Sequence, residues 1–248
     1  MSLLTEKFKI DTSILHYLPM VAEAKPCSVP FSERKNFISI GNFLHEPNWQ
    51  TVLKLKEIWP EIRKKIPDAE LHIYGAYASD KAKQLHNEKE KFLIKGRAES
   101  VEKVFEKARV LLAPIPFGAG IKGKLLESMA YGLPNVTSSI GAEGMKGNIN
   151  WNGFISDDDS EFTEKAVELY TYENEWNKAQ QNGYNIIESR FKKEIFLPQL
   201  LVKLNYLSAN LEEHRNKNYL GQILQHHTLL STKYMSRWIE EKNKKTPN

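Results

Sequence analysis

The stretch Val110–Pro134, VLLAPIPFGAGIKGKLLESMAYGLP, combines three local patterns that together indicate the fold. Its first six residues, Val110–Ile115, form an apolar run that predicts a buried strand. A turn with three glycines follows, and Lys124–Tyr131 then predicts a short helix. A strand, a glycine turn and a helix can hold an anion, because glycines permit close backbone approach and a helix start presents unpaired N–H groups.

Strand and helix patterns alternate on both sides of this stretch. Five further strands are predicted at Phe37–Ile40, Glu70–Tyr74, Phe92–Lys95, Pro134–Thr137 and Gly153–Ser156. Helices are predicted at Trp49–Ile66, Asp80–Glu90 and Ser100–Ala108. This alternation predicts the α/β class, with a parallel sheet of about six strands and helices on both faces. Ligands of such sheets bind at the carboxyl ends of the strands.

The two ends of the chain differ from this middle region. Ile14–Met20 is compatible with either a strand or an extended segment that ends at a proline. From Ser160 onward the pattern is helical, with segments at Glu161–Tyr172, Glu175–Arg190, Glu194–Asn210 and Leu220–Asn243. An all-helical carboxyl-terminal extension is therefore predicted after the sheet.

Composition narrows the range of functions. The 248 residues are 41% hydrophobic and 27% charged, which is ordinary for a soluble globular protein. A net charge of +4 suits an anionic ligand or a membrane surface, but it is not the concentrated basic footprint of a nucleic-acid binder. The single cysteine, Cys27, precludes an intrachain disulfide and favours a cytoplasmic location. No apolar run is long enough to predict a transmembrane helix.

The glycine turn also matches two familiar nucleotide-binding patterns by spelling. Gly118–Gly123 fits the dinucleotide pattern G-x-G-x-x-G, but it follows the fourth predicted strand, and the next strand does not end in an acidic residue. Gly118–Lys124 fits most of the P-loop pattern, but Leu125 stands where a hydroxyl would hold magnesium. Neither interpretation accounts for the whole region.

A third interpretation covers more of the chain. Residues 116–138, PFGAGIKGKLLESMAYGLPNVTS, resemble the donor-binding signature of GT-B-class retaining glycosyltransferases of the group 1, family 4 type, and Glu127–Pro134 follows its second half well. Other matches are Ile40–Phe43 with Pro47-Asn48, Trp59-Pro60, Pro67–Ala69 and Tyr74-Gly75, so the resemblance spans about Asn36–Asp159. It implies the carboxyl-terminal, Rossmann-like domain that binds a nucleotide-diphosphate sugar.

The resemblance also implies roles for individual residues. Glu127 matches the glutamate that accepts hydrogen bonds from the ribose hydroxyls, a task that suits a carboxylate. The family's first glutamate falls on Ala119, so sugar recognition is expected from backbone N–H groups near Ala119, Gly120 and Ile121. Arg97 lies in the loop that lines the base and ribose in the family, where it either contacts the base or is solvated.

The diphosphate requires positive charge, which the family supplies from an arginine and a lysine after the first strand. Here Asn42 and Asn48 occupy those positions, so Lys124 is the expected phosphate ligand and Lys122 the second. The expected donor-binding residues are Gly41, Asn42, Phe43, Gly75, Gly96, Arg97, Gly118, Ala119, Gly120, Ile121, Lys122, Lys124, Leu125 and Glu127. No metal, no cofactor beyond this donor substrate and no complete catalytic set are expected in the chain.

Domain organisation follows from the same resemblance. Residues 1–35 are expected to be the crossover or linker from a missing amino-terminal acceptor domain, residues 36–190 the donor domain, and residues 191–248 a helical extension. The full enzyme would transfer the sugar with retention to a glycan or lipid-linked acceptor, whereas the isolated chain would bind donor without transferring sugar. The apolar stripe of Leu220–Asn243 would pack on the missing half or form a homodimer.

Two other classes of function stay open. One is a nucleotide-binding module without transfer chemistry. The other is a module whose basic last helices dock a partner protein or an anionic membrane surface, which would place it at the inner membrane face. No nucleic-acid partner is expected.

Overall fold

The computed structural model describes residues 1–243, and the side chains of all of these except 226–229 and 243. The chain divides into two compact units, Met1–Phe196 and Leu197–Asn248.

The first unit is built on a six-stranded parallel sheet. Its strands are β1 Lys35–Ile40, β2 Leu71–Tyr74, β3 Phe92–Gly96, β4 Ala108–Ala113, β5 Asn135–Thr137 and β6 Gly153–Ile155. Their order across the sheet is β3-β2-β1-β4-β5-β6, and every pairing is parallel. The predicted α/β class and the six parallel strands are confirmed.

Helices connect and flank these strands. Their bounds are α1 Glu46–Lys65, α2 Asp80–Gln84, α3 Val101–Lys107, α4 Gly123–Ala130, α5 Ser139–Ala142, α6 Asp159–Thr171, α7 Glu173–Ile186, α8 Lys193–Ala209, α9 Leu211–Lys217 and α10 Tyr219–Asn243. Short helical turns occur at Leu3–Lys7, Thr12–Ile14, Phe31–Glu33 and Ile187–Phe191. The predicted helical carboxyl-terminal part is confirmed, with α9 as an additional short helix.

The prediction of a helix over Asp80–Glu90 is wrong for its second half, which is not helical. Helix α2 ends at Gln84, and the backbone of Asn87 instead exchanges hydrogen bonds of 2.9 and 3.0 Å with Phe92. Lys91 adopts a positive φ of 49°, which reverses the chain into β3. Ile14–Met20, where a strand or an extended segment was expected, contains no strand.

The two faces of the sheet pack against different helices, as the alternating side chains of β1 show. Phe37 lies in a core with side chains of α1 and α6, whereas Ile38 lies in a second core with side chains of α4. Helices α1 and α4 therefore cover opposite faces. Both begin at the carboxyl edge of the sheet, α1 after β1 and α4 after the neighbouring strand β4. The strand order reverses between these two strands, where sheets of this kind bind ligands.

The second unit contains the rest of α8 together with α9 and α10. None of its described side chains is buried. Its large exposed apolar residues include Leu201, Val202, Tyr206, Leu220, Ile223, Leu224, Tyr234 and Trp238. Among the described residues, no helix combines the length and the apolar character that crossing a membrane would need.

Candidate functional site

A cavity of about 410 Å³ opens at the switch point between β1 and β4. Its walls come from the loop and first turn of α1 on one side, and from the glycine turn and first turn of α4 on the other. Seven residues expected from the sequence line this cavity: Gly41, Gly118, Ala119, Ile121, Lys122, Lys124 and Glu127. The fold thus brings together two sequence segments that lie about 75 residues apart.

Lys124 has the most unusual environment in the cavity. Its Nζ donates a hydrogen bond of 2.7 Å to Asn48 Oδ1, and within residues 1–243 no carboxylate lies within ion-pair distance of it. Burial disfavours the charged form and lowers the pKa of Lys124 from 10.5 to about 8. A desolvated cation without a counter-charge is suited to receive an anionic ligand.

The start of α4 adds further positive potential. No side chain caps this helix at Lys122, and within the described part of the chain no acceptor receives the N–H groups of Gly123 and Lys124. Unpaired N–H groups at a helix start carry a partial positive charge and are donors for anions. The first turn of α4 therefore presents backbone donors in the same cavity as the Lys124 ammonium.

The glycine turn before α4 depends on conformations that favour glycine. Gly118 and Gly120 have φ values of 145° and 73°, and a Cβ at Gly120 would meet no atom within 4 Å. Open space over this backbone leaves room for a ligand to approach it closely. Lys122 folds over the turn, where its Nζ donates a 2.7 Å hydrogen bond to the Gly120 carbonyl.

Glu127 lies on the rim of the cavity, one turn into α4, where its side chain is exposed. Partial desolvation by the surrounding protein raises the pKa of its carboxyl above the usual value. Its position allows a ligand that contacts the glycine turn to extend along α4 and reach this carboxylate.

Several other expected residues lie outside the cavity lining. Phe43 and Leu125 are buried in the hydrophobic core, so both support the loops from behind. A Cβ at Gly75 would lie 2.2 Å from the Gly41 carbonyl oxygen, so glycine is needed there for the close approach of two loops. The Asn42 side chain accepts a 2.8 Å hydrogen bond from the N–H of Leu44 and so shapes its own turn.

Gly96 is the last residue of β3 and Arg97 follows it, and this strand lies two positions away from β1 and the switch point. Arg97 lines a second and larger cavity of about 1080 Å³, which extends over β1, β2 and α3. Five basic residues surround this second cavity: Lys35, Lys95, Arg97, Lys103 and Lys107. Within residues 1–243, none of the five forms an ion pair.

Sequence reasoning missed the contribution of α1 to the first cavity. His45, Pro47 and Asn48 all line it, although Asn48 was expected only as the position of a lost lysine. The available signal was their place at the start of a helix that follows the central strand β1. No group of three His, Cys, Asp or Glu residues that could hold a metal ion occurs among the described residues.

Solved structures of glycosyltransferases share this fold. The chain is 17% identical to TarM, with a TM-score of 0.61, and the matched region covers 76% of this chain and 38% of TarM. The pneumococcal O-GlcNAc transferase GtfA is 19% identical, with a TM-score of 0.59, and the match covers 75% of this chain and 38% of GtfA. WaaG, a glycosyltransferase involved in lipopolysaccharide biosynthesis, is 14% identical, with a TM-score of 0.52, and the match covers 69% of this chain and 52% of WaaG. The chain thus spans well under two thirds of these proteins. Among curated proteins, none matches the sequence.

The family model described as glycosyl transferases group 1 matches residues 34–172, more than half of the chain. This range includes the whole sheet, the glycine turn and both helices that wall the switch-point cavity. The chain therefore belongs to the group 1 glycosyl transferases.

Proposed function

We propose that this chain is the donor-binding part of a glycosyltransferase and that the switch-point cavity takes a nucleotide-diphosphate sugar. The observation that carries the proposal is the partly buried Lys124 ammonium, which shares the cavity with the unpaired N–H groups of α4 and has no carboxylate at ion-pair distance among the described residues. Two structural neighbours support the ligand class, because TarM from S. aureus and pneumococcal GtfA are both described in complexes that contain UDP.

Each part of the cavity has a role in this proposal. Lys124 and the first N–H groups of α4 bind the diphosphate, with Lys122 as a second cation above the glycine turn. Backbone N–H groups around Ala119, Gly120 and Ile121 contact the sugar, and Glu127 accepts hydrogen bonds from the ribose. When the bond to the sugar breaks, negative charge develops on the departing diphosphate, where the Lys124 ammonium stabilises it most.

The proposal also includes a separate domain that binds the acceptor. The chain covers only 38% of TarM and of GtfA, so we infer that an amino-terminal acceptor domain completes the active site. In that arrangement residues 1–35 are the crossover, 36–190 the donor domain and 191–248 the helical extension. The complete enzyme transfers sugar with retention to a glycan or lipid-linked acceptor, whereas the isolated chain is inactive in transfer. The exposed apolar residues of α8 and α10 would pack against the missing part or a second copy.

Calorimetric titration with UDP, UMP and uridine tests the donor site. UDP is expected to bind most tightly and uridine most weakly, because the main contacts are made to the diphosphate. Equal affinity for all three, or binding of neither UDP nor GDP when GDP is titrated in the same way, would contradict the proposal. Sugar transfer by the isolated chain from UDP-GlcNAc to a simple acceptor would contradict the requirement for an acceptor domain.

A second candidate function, docking of an acidic partner protein, is favoured by the five unpaired basic residues around the larger cavity. A charge-reversal pair on α3, Lys103→Glu with Lys107→Glu, should abolish binding of a polyglutamate peptide, whereas Lys81→Glu with Lys89→Glu alters net charge equally outside this cavity. Equal effects of the two pairs would show only a general charge effect.

A further inference from the structure

The amide of Asn48 is held in one orientation by two partners of opposite kind. Its Oδ1 accepts the 2.7 Å hydrogen bond from Lys124 Nζ, and its Nδ2 donates a 3.0 Å bond to the Asn42 carbonyl. An ammonium can only donate and a carbonyl can only accept, so the reversed amide would lose both bonds. Asn48 therefore connects the loop after β1 to the cation on α4.

Two glycines make this arrangement possible. A Cβ at Gly41 would lie 2.6 Å from Asn48 Cγ, so the amide occupies the space that any other residue at position 41 would need. Gly75 in turn lets its own loop pass against the Gly41 carbonyl. The local packing thus confines the Asn48 side chain to the place where it meets Lys124.

The neutrality of this partner matters for the charge of the cavity. A carboxylate at the same distance would form an ion pair with Lys124 and cancel its field, whereas an amide oxygen orders the ammonium and leaves its charge and two remaining protons free. A lysine side chain has high rotamer entropy, so ordering it before the ligand arrives reduces the cost of binding.

We propose that Asn48 is a positioning residue: it holds the Lys124 ammonium, as a neutral acceptor, in the place where that cation meets the diphosphate of the donor. This inference rests on the proposed donor site. It adds that the asparagine found where a lysine was expected serves the cation on the opposite wall of the cavity.

The test uses two substitutions with opposite consequences for Lys124. In Asn48→Asp the new carboxylate stabilises the ammonium and moves the pKa of Lys124 upward, whereas in Asn48→Ala the loss of the hydrogen bond to the charged form moves it downward. NMR titration of the Lys124 Cε resonance in the ligand-free protein measures both shifts directly. Gln50→Ala, on the same helix but outside the cavity lining, is the matched control and should leave the titration unchanged.

Binding of UDP is then measured by calorimetry above the pH at which its terminal phosphate titrates. At neutral pH the affinity of both Asn48 variants for UDP should be lower by a factor of roughly ten or more. Asn48→Asp weakens binding because it neutralises the cation, and Asn48→Ala because it releases the cation. The pH at which affinity declines should rise in Asn48→Asp and fall in Asn48→Ala, a pair of opposite shifts that a purely structural role would not produce.

The possible outcomes separate this inference from the proposed function. If UDP binding depends on Lys124 but the Asn48 variants keep the wild-type affinity and the wild-type titration of Lys124, the role of Asn48 is overturned and the donor site is not. Failure of the unmodified protein to bind either UDP or GDP would overturn the donor site, and the positioning role with it. Parallel losses in Gln50→Ala would also overturn the assignment to Asn48.

Discussion

The indole N–H of Trp151 donates a hydrogen bond of 2.9 Å to Asn135 Oδ1, and both side chains are buried. The other end of the Asn135 amide donates to the Ser128 hydroxyl at 3.3 Å, and Ser128 is part of α4. Asn135 therefore connects the helix that carries Lys124 and Glu127 to β5 and to the segment before β6. This buried network is one reason why α4 has a defined position at the switch point.

Asn135→Ala is expected to lower the free energy of unfolding by about 2–4 kcal/mol, because it leaves the Trp151 N–H and the Ser128 hydroxyl without this partner in the core. Urea denaturation measures the change. Asn185→Ala, which removes an exposed amide bonded to Gln181, should cost only a few tenths of a kcal/mol. Similar costs for the two variants would show that the network contributes little.

Glu127→Ala is expected to weaken UDP binding by roughly 1–3 kcal/mol, since ribose hydroxyls would lose their acceptor. Calorimetry with UDP and 2′-deoxy-UDP on both proteins gives a double-mutant cycle. If Glu127 contacts the 2′-hydroxyl, the substitution and the deoxy analogue should not have additive effects. Fully additive effects would place Glu127 away from that hydroxyl.

Lys124 predicts a pH dependence of stability. Its pKa is about 8 in the folded protein, against a reference value of 10.5. This difference means that keeping Lys124 charged in the folded state lowers the free energy of unfolding by about 3 kcal/mol. Since the folded state binds the proton less tightly, this cost is fully present below about pH 8 and is removed as the pH rises through 10.5. Lys124→Met should therefore be more stable than the unmodified protein at pH 7, and this advantage should diminish at higher pH.

Urea denaturation of both proteins at several pH values checks this, with Lys81→Met as the control for an exposed lysine. A constant difference between Lys124→Met and the unmodified protein across this range would contradict the desolvation of Lys124. The same variant should bind UDP much more weakly, so that stability and binding change in opposite directions, as expected for a residue whose charge serves a ligand.

Gly41→Ala is expected to weaken UDP binding while costing little stability. The new Cβ would overlap the Asn48 amide, which can move because it is the end of a side chain. Displacing it releases Lys124. In an Asn48→Ala background the same substitution should therefore cause little further loss of affinity, which calorimetry of the two single variants and the double variant measures. An equal loss in both backgrounds would show that Gly41 acts by another route.

Much of the fold is predictable because its elements have strong local signals. The apolar run that becomes β4, the glycine turn and the short helix α4 lie consecutively in the chain, and their boundaries are correct within two residues. Helix α2 is shorter than predicted because backbone pairing between Asn87 and Phe92 replaces its second half, and polar helical periodicity does not reveal that pairing.

The sequence by itself determined the alternation of strands and helices, the glycine turn, and the residues of the cavity wall that the glycine turn and α4 form, since each depends on neighbours in the chain. Only the tertiary structure decided which loops meet. The strand order places β1 beside β4, and this alone brings Asn48 to Lys124, 76 residues further along the chain. An asparagine in place of an expected lysine has no local signal for its partner, because the hydrogen bond exists only across the switch point.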